Sequence, residues 1–164
     1  MVAIEPDPTN YRFLLKNILL NNCRNIKALK VAAWCRKTRV RLYRTYISSL
    51  HSVIYTKNVK EVIAVEALPL DRIIQELGIN RCDYVKIDAE GAEFVILKGM
   101  MTILKKMRPK LVVEVSRKLS DILFLLNDAG YHISIVPAGV AIGRAFILFC
   151  EPMEFKNSEF SNHD

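Results

Sequence analysis

The chain has 164 residues, of which 51% are hydrophobic and 25% are charged, so it is long enough for a packed core and is not a disordered polypeptide. No apolar run reaches the roughly 18 residues of a membrane-spanning helix, and the N-terminus has neither the basic nor the apolar region of a signal peptide. We therefore expect a cytoplasmic protein without membrane contact, with one domain over residues 1–150 and a polar tail over residues 151–164.

The net charge of +7 is unevenly distributed along the chain. Eight basic residues and no acidic residue lie between Arg24 and Arg44, and a second basic group covers residues 105–110. Such a region can attract nucleic acid, but charged residues alternate with Val and Leu over residues 38–44, as on the solvent face of a strand. We favour the solvated face and do not expect nucleic acid as a partner. The four cysteines lack the spacing of a zinc site, so no metal is expected.

The first half of the chain shows a strand, a helix and then further strands. The first strand, Val2–Glu5, ends at Pro6-Asp7-Pro8, and Asp7 or Thr9 can cap a helix over Asn10–Asn21. The later elements are strands over Ile26–Trp34, Arg39–Tyr43 and Val59–Ala67, a polar loop over Thr45–Asn58, and a short helix that opens at Pro69-Leu70-Asp71 and runs to Leu77.

In the second half, strands and helices alternate. The predicted elements are a buried strand over Cys82–Asp88, a long amphipathic helix over Ala92–Met107, a strand over Leu111–Ser116, a helix over Leu119–Ala129, and strands over Tyr131–Val136 and Ala145–Cys150. This order predicts an α/β fold with a doubly wound, mostly parallel sheet and an antiparallel strand at its C-terminal end.

Two acidic residues stand where predicted parallel strands end. Glu5 follows the first strand and Asp88 ends the strand over Cys82–Asp88. Ligands bind at the carboxyl ends of strands in open parallel sheets, and an acid there can accept the hydroxyls of a ribose. As structural alternatives, Glu5 is only a loop acid and Asp88 only caps the helix that follows.

Two segments together resemble FkbM-type S-adenosylmethionine methyltransferases. The run from Val2 to Asn10, with its acid-Pro-Asp-Pro core, resembles the second motif of that family. The run Tyr84-Val-Lys-Ile-Asp-Ala-Glu-Gly-Ala-Glu93 resembles its most distinctive stretch. The resemblance covers about residues 1–135. It implies the Rossmann-like methyltransferase sheet and transfer of a methyl group to a hydroxyl of a small molecule or sugar.

The resemblance also implies roles for individual residues. Glu5 matches the acid that holds the ribose of S-adenosylmethionine. Ala33 and Trp34 lie where the adenine is usually flanked, although the only tryptophan of the chain is also easily a core aromatic. Asp88 would lie beside the methionine end of the cofactor.

Three residues are candidates for acting on the acceptor. Asp88 and Glu90 would line the mouth of the site, and His51 lies on the polar loop expected near it. Histidine side chains titrate in the range that suits a general base, but a lone loop histidine is more often only solvent-exposed.

The family carries a first strand and a glycine-rich turn upstream of the acid-Pro-Asp-Pro motif, whereas no glycine precedes Gly78 here. We therefore expect a sheet truncated at its N-terminus, without the primary cofactor loop and without the central strand. Either Val2–Glu5 pairs directly with Cys82–Asp88, or a homodimer completes the sheet. An inactive remnant that binds cofactor poorly is the alternative function, and a nucleic-acid-binding domain using Arg24–Arg44 is the weaker one.

Overall fold

The computed structural model describes residues 1–46, 51–54, 57–138 and 145–154, which form nine strands, four α-helices and one π-helical turn. The strands are β1 (Val2–Ile4), β2 (Lys27–Leu29), β3 (Ala32–Ala33), β4 (Thr38–Thr45), β5 (Val59–Leu68), β6 (Tyr84–Ile87), β7 (Lys110–Val115), β8 (Tyr131–Pro137) and β9 (Phe146–Pro152). The helices are α1 (Pro8–Leu20), α2 (Leu70–Glu76), α3 (Glu93–Lys98) and α4 (Leu119–Asp128), and the π-helical turn covers Ile103–Met107.

Helix α1 begins after Asp7, one of the two predicted caps. The Asp7 carboxylate accepts the backbone N–H groups of Thr9 and Asn10 at 2.8 and 2.9 Å. Pro8 occupies the first helical position, where a missing N–H costs no hydrogen bond. The helix has no fully buried residue, so the capping contacts and half-buried packing hold it in place.

The described strands form three sheets instead of the single, mostly parallel sheet that the sequence predicts. Strand β1 pairs in parallel with β2, β5 lies between β3 and β4, and the third sheet has the order β6-β7-β9-β8. The second and third sheets are mixed, because β4 runs antiparallel to β5, and β9 runs antiparallel to both β7 and β8. The expected antiparallel strand at the C-terminal end is thereby confirmed, whereas the mostly parallel sheet is wrong.

The predicted strand over Ile26–Trp34 is split in two, since β2 joins the first sheet and β3 joins the second. Direct pairing of the first strand with the strand over Cys82–Asp88 is also wrong. In the described part of the chain, β1 has β2 as its only strand neighbour, and β6 has only β7. Each of these two strands therefore keeps one edge that no described strand covers.

The predicted helix over Ala92–Met107 is interrupted at Gly99. A Cβ atom at Gly99 would lie 2.0 Å from the backbone oxygen of Trp34, so glycine allows the two segments to approach closely. After this interruption the chain becomes helical again. The Asp71 carboxylate accepts the N–H groups of Thr102 and Ile103 at the start of this second helical segment, both at 2.9 Å. Asp71 thus caps a helical segment about thirty residues away in sequence, which helical periodicity does not reveal.

The main core lies between α3, α4 and the β6-β7-β9-β8 sheet, where Leu97, Leu104 and Val113 are fully buried. A smaller cluster around Leu42 and Ala67 belongs to the second sheet. Trp34 packs against both clusters and so joins them. No described helix has the length and apolar character needed to cross a membrane.

Candidate functional site

The segment after β1 carries Glu5 and Asp7 in a tight arrangement. Glu5 Oε1 accepts the backbone N–H of Asp7 at 2.8 Å, and the Glu5 N–H donates to the carbonyl of Leu29 at 3.1 Å. Burial raises the pKa of Glu5, while the hydrogen bond from Asp7 lowers it and the Asp7 charge raises it again. The Glu5 carboxylate is therefore held at the carboxyl end of the first sheet by one of its two oxygens.

Asp7 is fully buried and forms an ion pair with Arg44 of β4, with 2.7 Å between Asp7 Oδ2 and Arg44 Nε. The same guanidinium reaches Glu61 Oε2 at 2.5 Å and Thr9 Oγ1 at 3.1 Å. Arg44 therefore faces the β1–α1 unit and not the solvent face of its strand. This cluster joins the first sheet to the second.

His51 lies against this cluster. Its Nδ1 accepts the backbone N–H of Thr45 at 3.1 Å, and its Nε2 is 3.9 Å from Asp7 Oδ2. Because Nδ1 accepts a hydrogen bond, the neutral ring carries its proton on Nε2, facing Asp7. The contacts of both ring nitrogens give His51 a structural position, and its assignment as a base stays a prediction.

Ser52, next to His51, connects this cluster to the other strand end. Its hydroxyl donates to the carbonyl of Glu90 at 2.8 Å and accepts the N–H of Ile54 at 3.0 Å. Two consecutive residues, His51 and Ser52, thus contact the segments that follow β1 and β6. Through these contacts, the end of β1 with Glu5 and the end of β6 with Asp88–Glu90 lie towards one region of the molecule.

The turn after β6 has a strained backbone. Glu90 and Gly91 have φ angles of 50° and 98°, in the left-handed region that glycine adopts readily and glutamate does not. Glu93 stabilises this turn, since its Oε1 accepts the N–H groups of Ala89 at 3.2 Å and Gly91 at 2.8 Å. Arg108 and Lys118, on either side of β7, have similar φ angles, so this strain accompanies the strand ends of the third sheet in general.

Glu90 lies among other carboxylates. Burial raises its pKa most, followed by the charges of Asp88, Glu114 and Glu93. Asp88 itself is exposed and forms an ion pair with Lys86, with 3.3 Å between Nζ and Oδ2. The turn therefore presents one exposed, paired carboxylate and one half-buried carboxylate that takes up a proton more readily than an ordinary glutamate.

Ala33 and Trp34 follow the first sheet along the chain and are half-buried. The Trp34 N–H donates to the carbonyl of Leu68 at 2.9 Å, and its side chain packs against both hydrophobic clusters. Trp34 therefore has the packing of a core aromatic. The adenine-flanking role of both residues stays a prediction.

Two surface cavities, of about 360 and 1060 Å³, lie away from these residues. The larger one lies between α2 and Gly99, and the smaller one lies between α3 and α4; Glu5, Asp88 and Glu90 line neither. Within the described ranges, no three His, Cys, Asp or Glu side chains are grouped so that they could hold a metal ion. The candidate site is an open edge formed by strand ends.

Sequence reasoning does not identify Arg44 and Glu93 as parts of this site. Arg44 belongs to the basic residues that the sequence assigns to a solvated face. No sequence signal links it to Asp7, which lies 37 residues earlier. Glu93 ends the run that carries the family resemblance, but the sequence predicts no role for it. Its position two residues after a glycine turn is the signal that a glutamate can accept the N–H groups of that turn.

Comparisons with known proteins identify the family of this chain and a solved structure of similar fold. The family profile described as the Methyltransferase FkbM domain matches residues 1–133. The crystal structure of Methyltransferase FkbM from Methylobacillus flagellatus KT is similar to this chain with a TM-score of 0.64 and 21% sequence identity. The match covers 90% of this chain and 36% of that one, so this chain spans about a third of the length of the solved protein. No curated protein matches the sequence.

Proposed function

Because the chain belongs to the FkbM methyltransferase family, we propose that it transfers a methyl group from S-adenosylmethionine to a hydroxyl of a small molecule or sugar. When bound, S-adenosylmethionine supplies a methyl group that its positively charged sulfur has already activated. The protein then needs to orient the two reactants and to remove one proton from the acceptor. A Rossmann-like sheet and a cytoplasmic location are parts of the same proposal.

The Glu5 carboxylate fits the ribose of this cofactor. One of its oxygens accepts a hydrogen bond from the Asp7 N–H, and within the described residues the other accepts none from the protein. The group lies half-buried at the carboxyl end of β1, where acids accept ribose hydroxyls in nucleotide-binding sheets. Ala33 and Trp34 would flank the adenine, and Asp88 would lie beside the methionine end.

Glu90 is the residue that supports proton removal best, and its surroundings carry the proposal. Its raised pKa makes the carboxylate a better proton acceptor than an ordinary glutamate. The adjacent Asp88 keeps its ion pair with Lys86, which leaves Glu90 as the carboxylate that takes the proton of the acceptor hydroxyl. His51 is the second candidate base, which becomes available when its hydrogen bond with the Thr45 N–H opens.

Calorimetric titration with S-adenosylmethionine tests the cofactor site. We expect saturable heat for the unmodified chain, and binding weaker by at least tenfold in Glu5→Gln, which keeps the size of the side chain and removes its charge. Asp83→Asn is the matched control, because Asp83 is an exposed carboxylate paired with Arg81. No heat at millimolar S-adenosylmethionine would contradict the proposal that this chain is an active enzyme. It would favour the alternative of an inactive remnant that binds the cofactor poorly.

A further inference from the structure

The net positive charge of the protein lies entirely in one continuous stretch. Residues 8–60 contain twelve Lys and Arg and no Asp or Glu, whereas the remainder of the chain has twelve basic and all seventeen acidic residues. Of the basic residues in this stretch, Arg44 is neutralised by Asp7 and Glu61. The others form no ion pair with described residues, so this stretch of the chain presents positive charge that no ion pair balances.

Part of this charge forms an ordered row on the hairpin of β4 and β5. Arg39 and Arg41 are both exposed, and with Tyr43 they alternate along β4 on the outward face, opposite Glu66, Ala64 and Val62. Tyr46 follows directly and is 79% exposed. Lys60 of β5 lies over the Tyr46 ring, with 5.9 Å from Nζ to the ring centre. The row therefore contains two arginines, then two tyrosines with a lysine beside them.

We propose that this outward face of the β4–β5 hairpin binds single-stranded nucleic acid. Side chains two residues apart on a strand lie roughly 7 Å apart, so Arg39 and Arg41 can contact phosphates in succession along an extended backbone. Tyr46, which is 79% exposed, offers a ring face on which a base stacks. Basic side chains that follow the backbone, with aromatic rings for the bases, are the arrangement by which proteins bind single strands without sequence preference.

An anionic membrane fits this face less well. Membrane-surface binding requires a wide apolar face beside the basic residues. On this face Val62, opposite Tyr43, is the one large aliphatic side chain among the described residues that is exposed. Duplex DNA fits less well too, because an aromatic ring on this face stacks on unstacked bases, which a duplex does not present.

Fluorescence anisotropy with a labelled 20-nucleotide oligo-uridine, measured at several salt concentrations, tests the proposal. The logarithm of the binding constant should fall linearly with the logarithm of the salt concentration. The double variant Arg39→Gln/Arg41→Gln should reduce that slope by about 1.4, which is about 0.7 for each of the two phosphates that it no longer neutralises. Tyr46→Ala should weaken binding about fivefold or more, because a base can no longer stack there. Far-UV circular dichroism verifies that the variants are folded, as expected for exposed positions.

The matched control is Lys105→Gln/Lys106→Gln, which removes two exposed charges outside residues 8–60 and leaves the net charge equal to that of the arginine double variant. The control should keep the original slope. Equal reductions of the slope in the two double variants would overturn the proposal, since binding would then depend on net charge alone. No binding at low salt, or binding to phosphatidylserine vesicles that is tighter than to the oligonucleotide, would overturn it as well.

Discussion

The carboxylate of Asp7 both caps helix α1 and forms a buried ion pair with Arg44, with 2.7 Å between Oδ2 and Nε. One side chain thereby joins the first helix to the second sheet. Since β1, α1 and β2 have few buried residues of their own, this contact is the main fixed point between the N-terminal unit and the remainder of the described chain.

Asp7→Asn should lower the free energy of unfolding by about 2–4 kcal/mol, because the buried ion pair is lost and Arg44 keeps only the half-exposed Glu61 as a charged partner. This decrease lies at the low end of the range for breaking a buried ion pair, since a quarter of the Arg44 side chain is exposed. Asparagine still caps a helix, so Asp7→Ala should cost about 1 kcal/mol more. Urea denaturation measures both, and Asp7→Asn as stable as the unmodified chain would contradict the role of the pair.

Gly99→Ala should lower stability by about 3 kcal/mol or more, because the new Cβ would overlap a backbone oxygen that no rotamer change can move. Gly78→Ala is the matched control. Its φ of 64° strains an alanine, but no atom lies within 4 Å of the new Cβ, so we expect a decrease of about 1 kcal/mol. Equal thermal denaturation midpoints for the two variants would show that helix α3 does not need this close approach.

Glu93 should make the protein less stable as the pH rises above about 4.5. Burial raises its pKa from the ordinary 4.5, so the folded chain binds a proton more tightly than the unfolded chain. The contribution of Glu93 to the free energy of unfolding is then fully present in acid and is lost as the pH rises through the raised pKa. Urea denaturation from pH 4 to pH 8 should show a smaller decline in Glu93→Gln. Parallel pH profiles for the two proteins would contradict the prediction.

The open edges of β1 and β6 lead us to predict a homodimer that completes the sheet at micromolar concentration. Because the Lys110 N–H donates to the Asp83 carbonyl, alternation along β6 turns the backbone groups of Lys86 towards the open edge. Lys86→Pro removes an N–H from that edge and should weaken the dimer while keeping the pairing with β7. Light scattering that shows a monodisperse monomer of the unmodified chain would rule the dimer out.

The positions of most elements can be predicted from the sequence, because they depend on neighbouring residues. The Asp7-Pro8 pair marks the start of α1, and Gly78 and Gly130 mark turns with positive φ. Alternating apolar residues mark β4, and an apolar run marks β7. The Val2–Asn10 segment and the Lys86–Glu93 run together indicate the family, which the match over residues 1–133 confirms. Each of these signals lies within a few residues of the feature that it predicts.

Sequence by itself therefore determined where most strands and helices form and which family the chain belongs to. Only the tertiary structure decided that Arg44 faces Asp7 instead of solvent, that Gly99 interrupts a helix against Trp34, and that the strands form three separate sheets. The reason is the range of the interactions. Caps, turns and periodicity act between neighbours along the chain, whereas ion pairs, close backbone approaches and strand pairing join residues whose distance in space is independent of their separation in sequence.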